Sequence, residues 1–324
     1  MRFSFCGKQF VFIAAILFVL IFASCERIAV GMDDIKHAIE GNRSAVNKNP
    51  DAPDRDNSPK VLVCEAPGEA TFGENGGIVD FSNADDGYVM VRYEGNDSKV
   101  KVQITFSDGE PYTYDLKPNA DFTAFPLSLG SGDYDVGVFT NIEGNKYAQA
   151  TKRTITAEIS DEFSPFLRPN QYVYYTPDSE AVAMARDICE GVKSELGATE
   201  NLFLYVVENV SYDYEKAETV QSGYLPNVDE TLRSGAGICF DYASLTSAML
   251  RSQGIPCKLV IGYAGSAYHS WIRVYSRETG EVAGVIEFRA GEWSRMDPTF
   301  TAGGSKADPN TIGDGTNYNP IYEY

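Results

Sequence analysis

The chain has 324 residues, 43% of them hydrophobic, and a formal net charge of −19 at neutral pH. That length predicts two domains, and that apolar content excludes a wholly disordered protein. The acidity, with no basic stretch after the N-terminus, excludes nucleic-acid binding, which needs clustered Lys and Arg against phosphates.

Arg2 and Lys8 frame an apolar, uncharged run from Phe10 to Phe22. The run is short for a spanning helix and has the length of an export signal. It ends in Ala23-Ser24-Cys25, which resembles the cleavage and lipidation box of bacterial lipoproteins and makes Cys25 the candidate lipidated residue. A plain cleaved signal with Cys25 incidental, or an uncleaved anchor, are the alternatives. Residues 1–25 are thus read as an export segment, and the protein as secreted or anchored to the membrane through that end alone. Residues 26–60 are rich in Asn, Asp, Pro, Lys and Ser without apolar periodicity, and predict a flexible tether.

Residues 61–160 change character. Val100, Val102, Ile104 and Phe106 alternate with polar residues, as do Tyr112, Tyr114 and Leu116, with Ser107-Asp108-Gly109-Glu110 as the turn between them. Tyr134, Val136 and Val138 form another such strand, and Val61-Leu62-Val63 reads as a strand start before Cys64. Short strands at this spacing predict an all-β, immunoglobulin-like antiparallel sandwich. It holds no histidine and is expected to stand apart from any chemistry, so that residues 161–324 form a second, independent domain.

From about residue 165 the period becomes helical. Val182, Ala185, Cys189, Val192 and Leu196 make one apolar stripe, with Thr176-Pro177 as its start and Gly197 as its stop, and with Cys189 in the core. A second helix is expected from Leu202 to Asn209, capped by Thr199. A third runs from Cys239 to Ser252 and ends at Gly254 and Pro256. Lys258 to Tyr263 and Ser270 to Tyr275 read as strands, and Trp293 to Met296 lead into Asp297, for which the following Pro298 favours an extended or turn conformation.

The chemistry concentrates there. Cys239 falls in a first helical turn, where unpaired N–H groups and the helix dipole favour a thiolate and could meet an oxyanion. His269 is the only histidine beyond His37, so it is the one imidazole available as a base. Asp297 can orient the ring and stabilise its charged form, completing a Cys–His–Asp triad. Tyr224 and Trp271 are candidates for contact with an oxyanion or substrate. The cysteines lack CxxC spacing, which leaves a zinc site unsupported, and Cys257 reads as core. Asp308-Pro309-Asn310 and Asp314-Gly315 read as polar turns rather than a calcium loop. No cofactor or metal is called for.

Taken together, Tyr205 to Tyr214, Gly237-Ile238-Cys239-Phe240-Asp241-Tyr242-Ala243, Leu250 to Pro256, Gly262-Tyr263, His269-Ser270-Trp271 and Asp297-Pro298-Thr299 resemble the transglutaminase-like superfamily. The resemblance covers roughly residues 165–300. It implies an α+β, papain-like core in which the cysteine helix packs on an antiparallel sheet carrying His and Asp. It also implies a thioester acyl-enzyme formed on glutamine side chains or peptide amides, then passed to an amine or to water. The expected partner is a protein or peptide substrate at the cell surface. A reading from a different class is an inert cell-surface protein that uses both domains for binding, and retention of all three chemical groups argues against it.

Overall fold

The computed structural model describes residues 55–283, 286–303 and 317–324. The export segment with Cys25, residues 26–54 of the expected tether, and the polar turns at 308–315 lie outside the described residues.

The β half consists of eight strands: β1 (Thr71–Glu74), β2 (Gly77–Asp80), β3 (Tyr88–Tyr93), β4 (Val100–Phe106), β5 (Tyr112–Leu116), β6 (Thr123–Pro126), β7 (Gly132–Glu143) and β8 (Lys146–Ala157). They form two four-stranded antiparallel sheets, ordered β1-β2-β3-β6 and β5-β4-β7-β8. The chain therefore changes sheet after β3, β5 and β6. Strict alternation builds the core: Val100, Val102 and Ile104 are buried while Lys101, Gln103 and Thr105 are partly exposed. Their inner faces meet those of Val79, Val89 and Phe125 from the other sheet in one apolar cluster. Residues 61–63, expected to start a strand, are irregular, and the Cys64 thiol after them donates to the Pro169 carbonyl at 3.5 Å.

The helical stripe divides where one helix was expected. Helix α1 (Glu180–Ile188) ends at Cys189, which is fully buried, and Gly191 at φ +72° turns the chain. Helix α2 (Glu195–Asn209) then opens at Ser194, whose hydroxyl accepts from Gly197 N at 2.9 Å. Gly197 is thus a first-turn residue and not a stop, and Thr199 lies inside α2 rather than capping it. The stripe survives the break because both helices bury the same side of the domain.

Short helices α3 (Tyr214–Thr219) and α4 (Val228–Ser234) follow, with β9 (Ser211–Tyr212) pairing parallel to β10 (Ala236–Gly237). Helix α5 (Cys239–Ser252) is the axis of the domain: every residue from Asp241 to Ser252 is buried. It packs on β11 (Cys257–Ala264) and β12 (Ala267–Ser276), the centre of an antiparallel sheet ordered β15-β12-β11-β16, with β15 (Glu292–Met296) and β16 (Tyr318–Glu323) at its edges. Strands β13 (Gly280–Val282) and β14 (Ile286–Phe288) pair separately, and helix α6 (Pro298–Ala302) follows β15.

The halves are joined by packing as well as by chain. Tyr112 of β5 meets Tyr322 and Tyr324 edge-on at ring separations of 4.9 and 5.4 Å, and Tyr114 lies 5.5 Å from Tyr172. The last residues of the expected tether are also tied down. Lys60 N donates to Ser252 O at 2.7 Å and Arg55 to Gln253, both at the C-terminal end of α5, and Asn57 donates to Val192 O at 3.0 Å, between α1 and α2. A polar segment without periodicity can still be fixed in this way, by hydrogen bonds to the open carbonyls at a helix end.

Candidate active site

Three elements bring the sequence-selected groups together. Cys239 is the first residue of α5 and is partly exposed. His269 stands on β12 and lines the same cavity, with the Cys239 side chain near enough to favour the ring's protonated form. Asp297 ends β15 in extended backbone (φ −125°, ψ 92°), and its Oδ2 lies 2.8 Å from His269 Nε2. With Nε2 engaged by the carboxylate, Nδ1 is the ring nitrogen left for sulfur. His269 is 6% exposed and Asp297 1%, so their interaction is shielded from water. Burial alone would lower the basicity of His269. The hydrogen bonds and charges of Asp297 and Cys239 more than offset it, raising the ring from its ordinary value near 6.5 to about 10.

Asp297 is itself held. Its Oδ1 accepts from Phe300 N at 3.0 Å, capping α6, and its Oδ2 accepts from the Tyr318 hydroxyl at 2.8 Å. Phe300 stacks on the His269 ring at 4.5 Å. These contacts fix the carboxylate and the ring plane before any substrate arrives. Tyr318 and Phe300 were not selected from sequence. Tyr318 comes from β16, across a segment with no apolar pattern, so nothing local to it signals the contact.

A second buried carboxylate supports the cysteine turn. Asp241, wholly buried, accepts from Ile238 N at 2.9 Å, Lys216 Nζ at 2.7 Å and the Tyr224 hydroxyl at 2.5 Å. Gly237 permits this, since a Cβ there would come within 2.6 Å of Asp241 Cβ. The bonds to Asp241 and Tyr224 outweigh the burial of Lys216 and hold its pKa above the ordinary value. Burial and Asp241 push the Tyr224 phenol up to about 12. A carboxylate two residues after Cys239 on an apolar helix was the signal available in sequence, because a buried charge must be paired.

The two oxyanion candidates separate. Tyr224 lines the cavity, but its hydroxyl donates to Asp241. Trp271 is not part of the cavity wall. It is 2% exposed and packs behind His269, with ring centres 6.2 Å apart, and edge-on against Tyr318 at 5.0 Å. Two residues along a strand share a face, which puts Trp271 beneath the histidine and away from the opening.

Cys239 and His269 open into a cavity of about 540 Å³. Its other walls are Tyr212, Phe240, Tyr268 and the 217–225 segment. The β half, expected to stand apart, supplies Lys101, Thr113 and Asp115 to the far side. The remaining described cysteines lie elsewhere and are unpaired thiols. Burial pushes Cys64 up to about 12, and Cys189 and Cys257 to about 11. Among the described residues no group of three or more His, Cys, Asp or Glu could hold a metal ion, and no helix is long and apolar enough to cross a membrane.

Residues 182–298, which include Cys239, His269 and Asp297, match the family model of the transglutaminase-like superfamily. This stretch is a transglutaminase-like domain. Over 68 residues the chain is 35% identical to the UPF0252 protein MJ1282 of Methanocaldococcus jannaschii, and the match spans 19% of the length of each. Among solved structures, a candidate cysteine protease from Cytophaga hutchinsonii matches at TM-score 0.37 and 14% identity, covering 73% of this chain and 83% of that one. Red sea bream transglutaminase matches at TM-score 0.30 and 13% identity, covering 65% of this chain and 48% of that one. The transglutaminase-like domain carries the whole Cys–His–Asp constellation, and Tyr318 and the β-half wall are added from outside it.

Proposed function

We propose that the protein is a thiol enzyme in which Cys239 attacks a glutamine side-chain amide or a peptide amide. His269 takes the thiol proton and returns it to the leaving amine, while Asp297 holds the ring and its charge. The thioester is then resolved by an amine or by water. The observation that carries this reading is the succession of Cys239, His269 and Asp297 at the end of an accessible cavity. The first turn of α5 adds main-chain N–H groups, the natural donors to the oxyanion of a tetrahedral intermediate. The N-terminal sequence supports export, with Cys25 as the anchoring residue, and therefore a protein or peptide substrate outside the cytoplasm. The order of the sheets, with crossings after β3, β5 and β6, supports an immunoglobulin-like description of the β half.

The test is incubation with a glutamine-containing protein and a labelled primary amine, alongside a peptide-hydrolysis assay, with intact-mass detection of an adduct on Cys239. Iodoacetamide near pH 6 should label Cys239 ahead of Cys64, Cys189 and Cys257. Equal labelling of all four in the folded protein, with neither reaction detected, would remove the enzyme reading.

A further inference from the structure

The far wall of the cavity carries polar groups that the acyl-transfer chemistry does not use. Gln171 lies in the segment joining the two halves, where Asn170 Oδ1 accepts from the N–H groups of Tyr172 and Val173 at 2.9 and 3.0 Å and fixes the turn. The Gln171 amide nitrogen donates to the Asp115 carbonyl at 2.5 Å. Because a carbonyl can only accept, that bond settles which end of the Gln171 amide is nitrogen. Its Oε1 is consequently an acceptor. That atom is buried and has no hydrogen-bond partner among the described residues, in a side chain more than nine-tenths buried that lines the cavity. An unpaired buried carbonyl costs free energy that a donor arriving in the cavity would recover.

Asp115 lines the same wall. Lys101 engages its Oδ1 at 2.5 Å, while Oδ2 sits beside Gly223, where an added Cβ would come within 3.2 Å of it. Lys101 is thus already committed to Oδ1, while Gln171 Oε1 is an unpartnered acceptor and Oδ2 of the 46% exposed Asp115 side chain can only accept. A carboxylate ligand would face two acceptors in a protein with 46 acidic and 27 basic residues. A primary ammonium group brings three donors and a charge that this field favours.

We propose that Asp115 and Gln171 form a subsite for a primary ammonium group on the substrate, so that the β half selects what the transglutaminase-like domain acts upon. This rests on the thiol-enzyme reading for the place of the chemistry. The ammonium can come from a peptide's amino terminus or from a lysine side chain. Asp115 would ion-pair with it and Gln171 would accept one of its hydrogens.

The test uses the full chain and three peptidyl chloromethyl ketones, which alkylate Cys239 with loss of chloride. One has a free amino terminus, one is N-acetylated with a lysine, and one is N-acetylated with alanine only. Each is made with one, two and three residues before the electrophile. Rates are taken by intact mass and normalised to each variant's own rate with iodoacetamide, which probes the thiol alone. In the parent chain at least one of the first two reagents should outpace the third by on the order of tenfold, the scale of a charge-assisted contact. Asp115→Asn should erase that preference, and Gln171→Met should reduce it. Equal rates for all three reagents at every length, or a preference that survives Asp115→Asn, would overturn the subsite. Failure of iodoacetamide to select Cys239 in the parent chain would instead overturn the thiol-enzyme reading, so the two failures are distinguishable.

Discussion

Among the described residues the β half buries one carboxylate, Asp80, which main-chain N–H groups of Gly68 and Ser82 satisfy at 2.6 and 2.9 Å. The C-terminal half buries Glu200, Asp241, Arg251, His269 and Asp297, each at 6% exposure or less. A sandwich closes its backbone hydrogen bonds by strand pairing and fills its centre with alternating apolar residues, so charge inside it adds only a desolvation cost. The other half accepts that cost at identifiable places: beside the thiol, beneath it, and where the segments of the domain converge. Buried charge thus separates the β half from the half that carries the candidate site, and each buried group can be challenged in turn.

The largest effects belong to the thiol and its base. Cys239→Ala should abolish thioester formation outright, and His269→Ala should slow acyl transfer by about 10²–10⁴-fold, the usual range for a lost general acid–base group. Turnover and adduct formation by mass spectrometry measure both. If His269→Ala kept full activity, the buried charges around it would be structural, and the contrast between the halves would lose its functional meaning.

Arg251 tests the structural side of the same contrast. None of its hydrogen bonds goes to a side-chain carboxylate. Instead its guanidinium donates to the main-chain oxygens of Cys257 at 2.9 Å, Arg168 at 2.7 Å and Tyr324 at 2.7 Å, clamping three segments around α5. Arg251→Met fills similar volume but takes a donor from three buried oxygens; Tyr324 O keeps Leu259 N at 2.9 Å, while those of Cys257 and Arg168 lose the guanidinium at about 1–3 kcal/mol for each. Chemical denaturation should show a loss of at least about 2 kcal/mol. A change under about 1 kcal/mol would mean that water replaces the clamp at little cost.

These groups differ in how far the sequence discloses them. Cys239, His269 and Asp297 were readable because each sits in a local signal: a helix start after Gly237, a strand carrying the sole later histidine, and a residue set before Pro298. Helix α5 and strands β4, β5, β11 and β12 were readable because their burial follows one period over many residues. The break between α1 and α2 was not, since the apolar stripe runs on across Gly191 and Ser194. Trp271 was misplaced because it shares His269's face of β12, and sequence does not show that the position two residues further along that face lies behind the ring and away from the opening. Lys101, Asp115, Gln171 and Tyr318 were invisible. They reach the site by long-range packing, and a surface salt bridge or a strand tyrosine carries no mark of what lies across from it.

Tyr318 should give an intermediate effect. Tyr318→Phe keeps the ring against Trp271 but removes one of the donors to Asp297. A hydrogen bond to a charged group contributes about 1.5–3 kcal/mol. Since Phe300 N and His269 still hold the carboxylate, the loss in kcat should lie near the lower end, about tenfold, with KM little changed. A KM effect with unaltered kcat would place Tyr318 in substrate binding instead.

A further effect is one of pH, and its sign follows from His269. Unfolded, the imidazole binds its proton with a pKa near 6.5, and in the folded protein Asp297 and Cys239 raise it to about 10. The folded state therefore holds the proton more tightly. That contribution to stability is fully present below about pH 6.5 and is lost as pH rises through about 10. His269→Gln fills much of the same space and cannot carry the charge. The stability advantage of the parent chain over His269→Gln should accordingly be greatest near pH 6 and shrink steadily toward pH 10. Denaturant midpoints for both proteins across that range measure it. An advantage that grows with pH would mean that His269 is neutral in the folded protein, with Asp297 fixing a tautomer rather than stabilising an imidazolium.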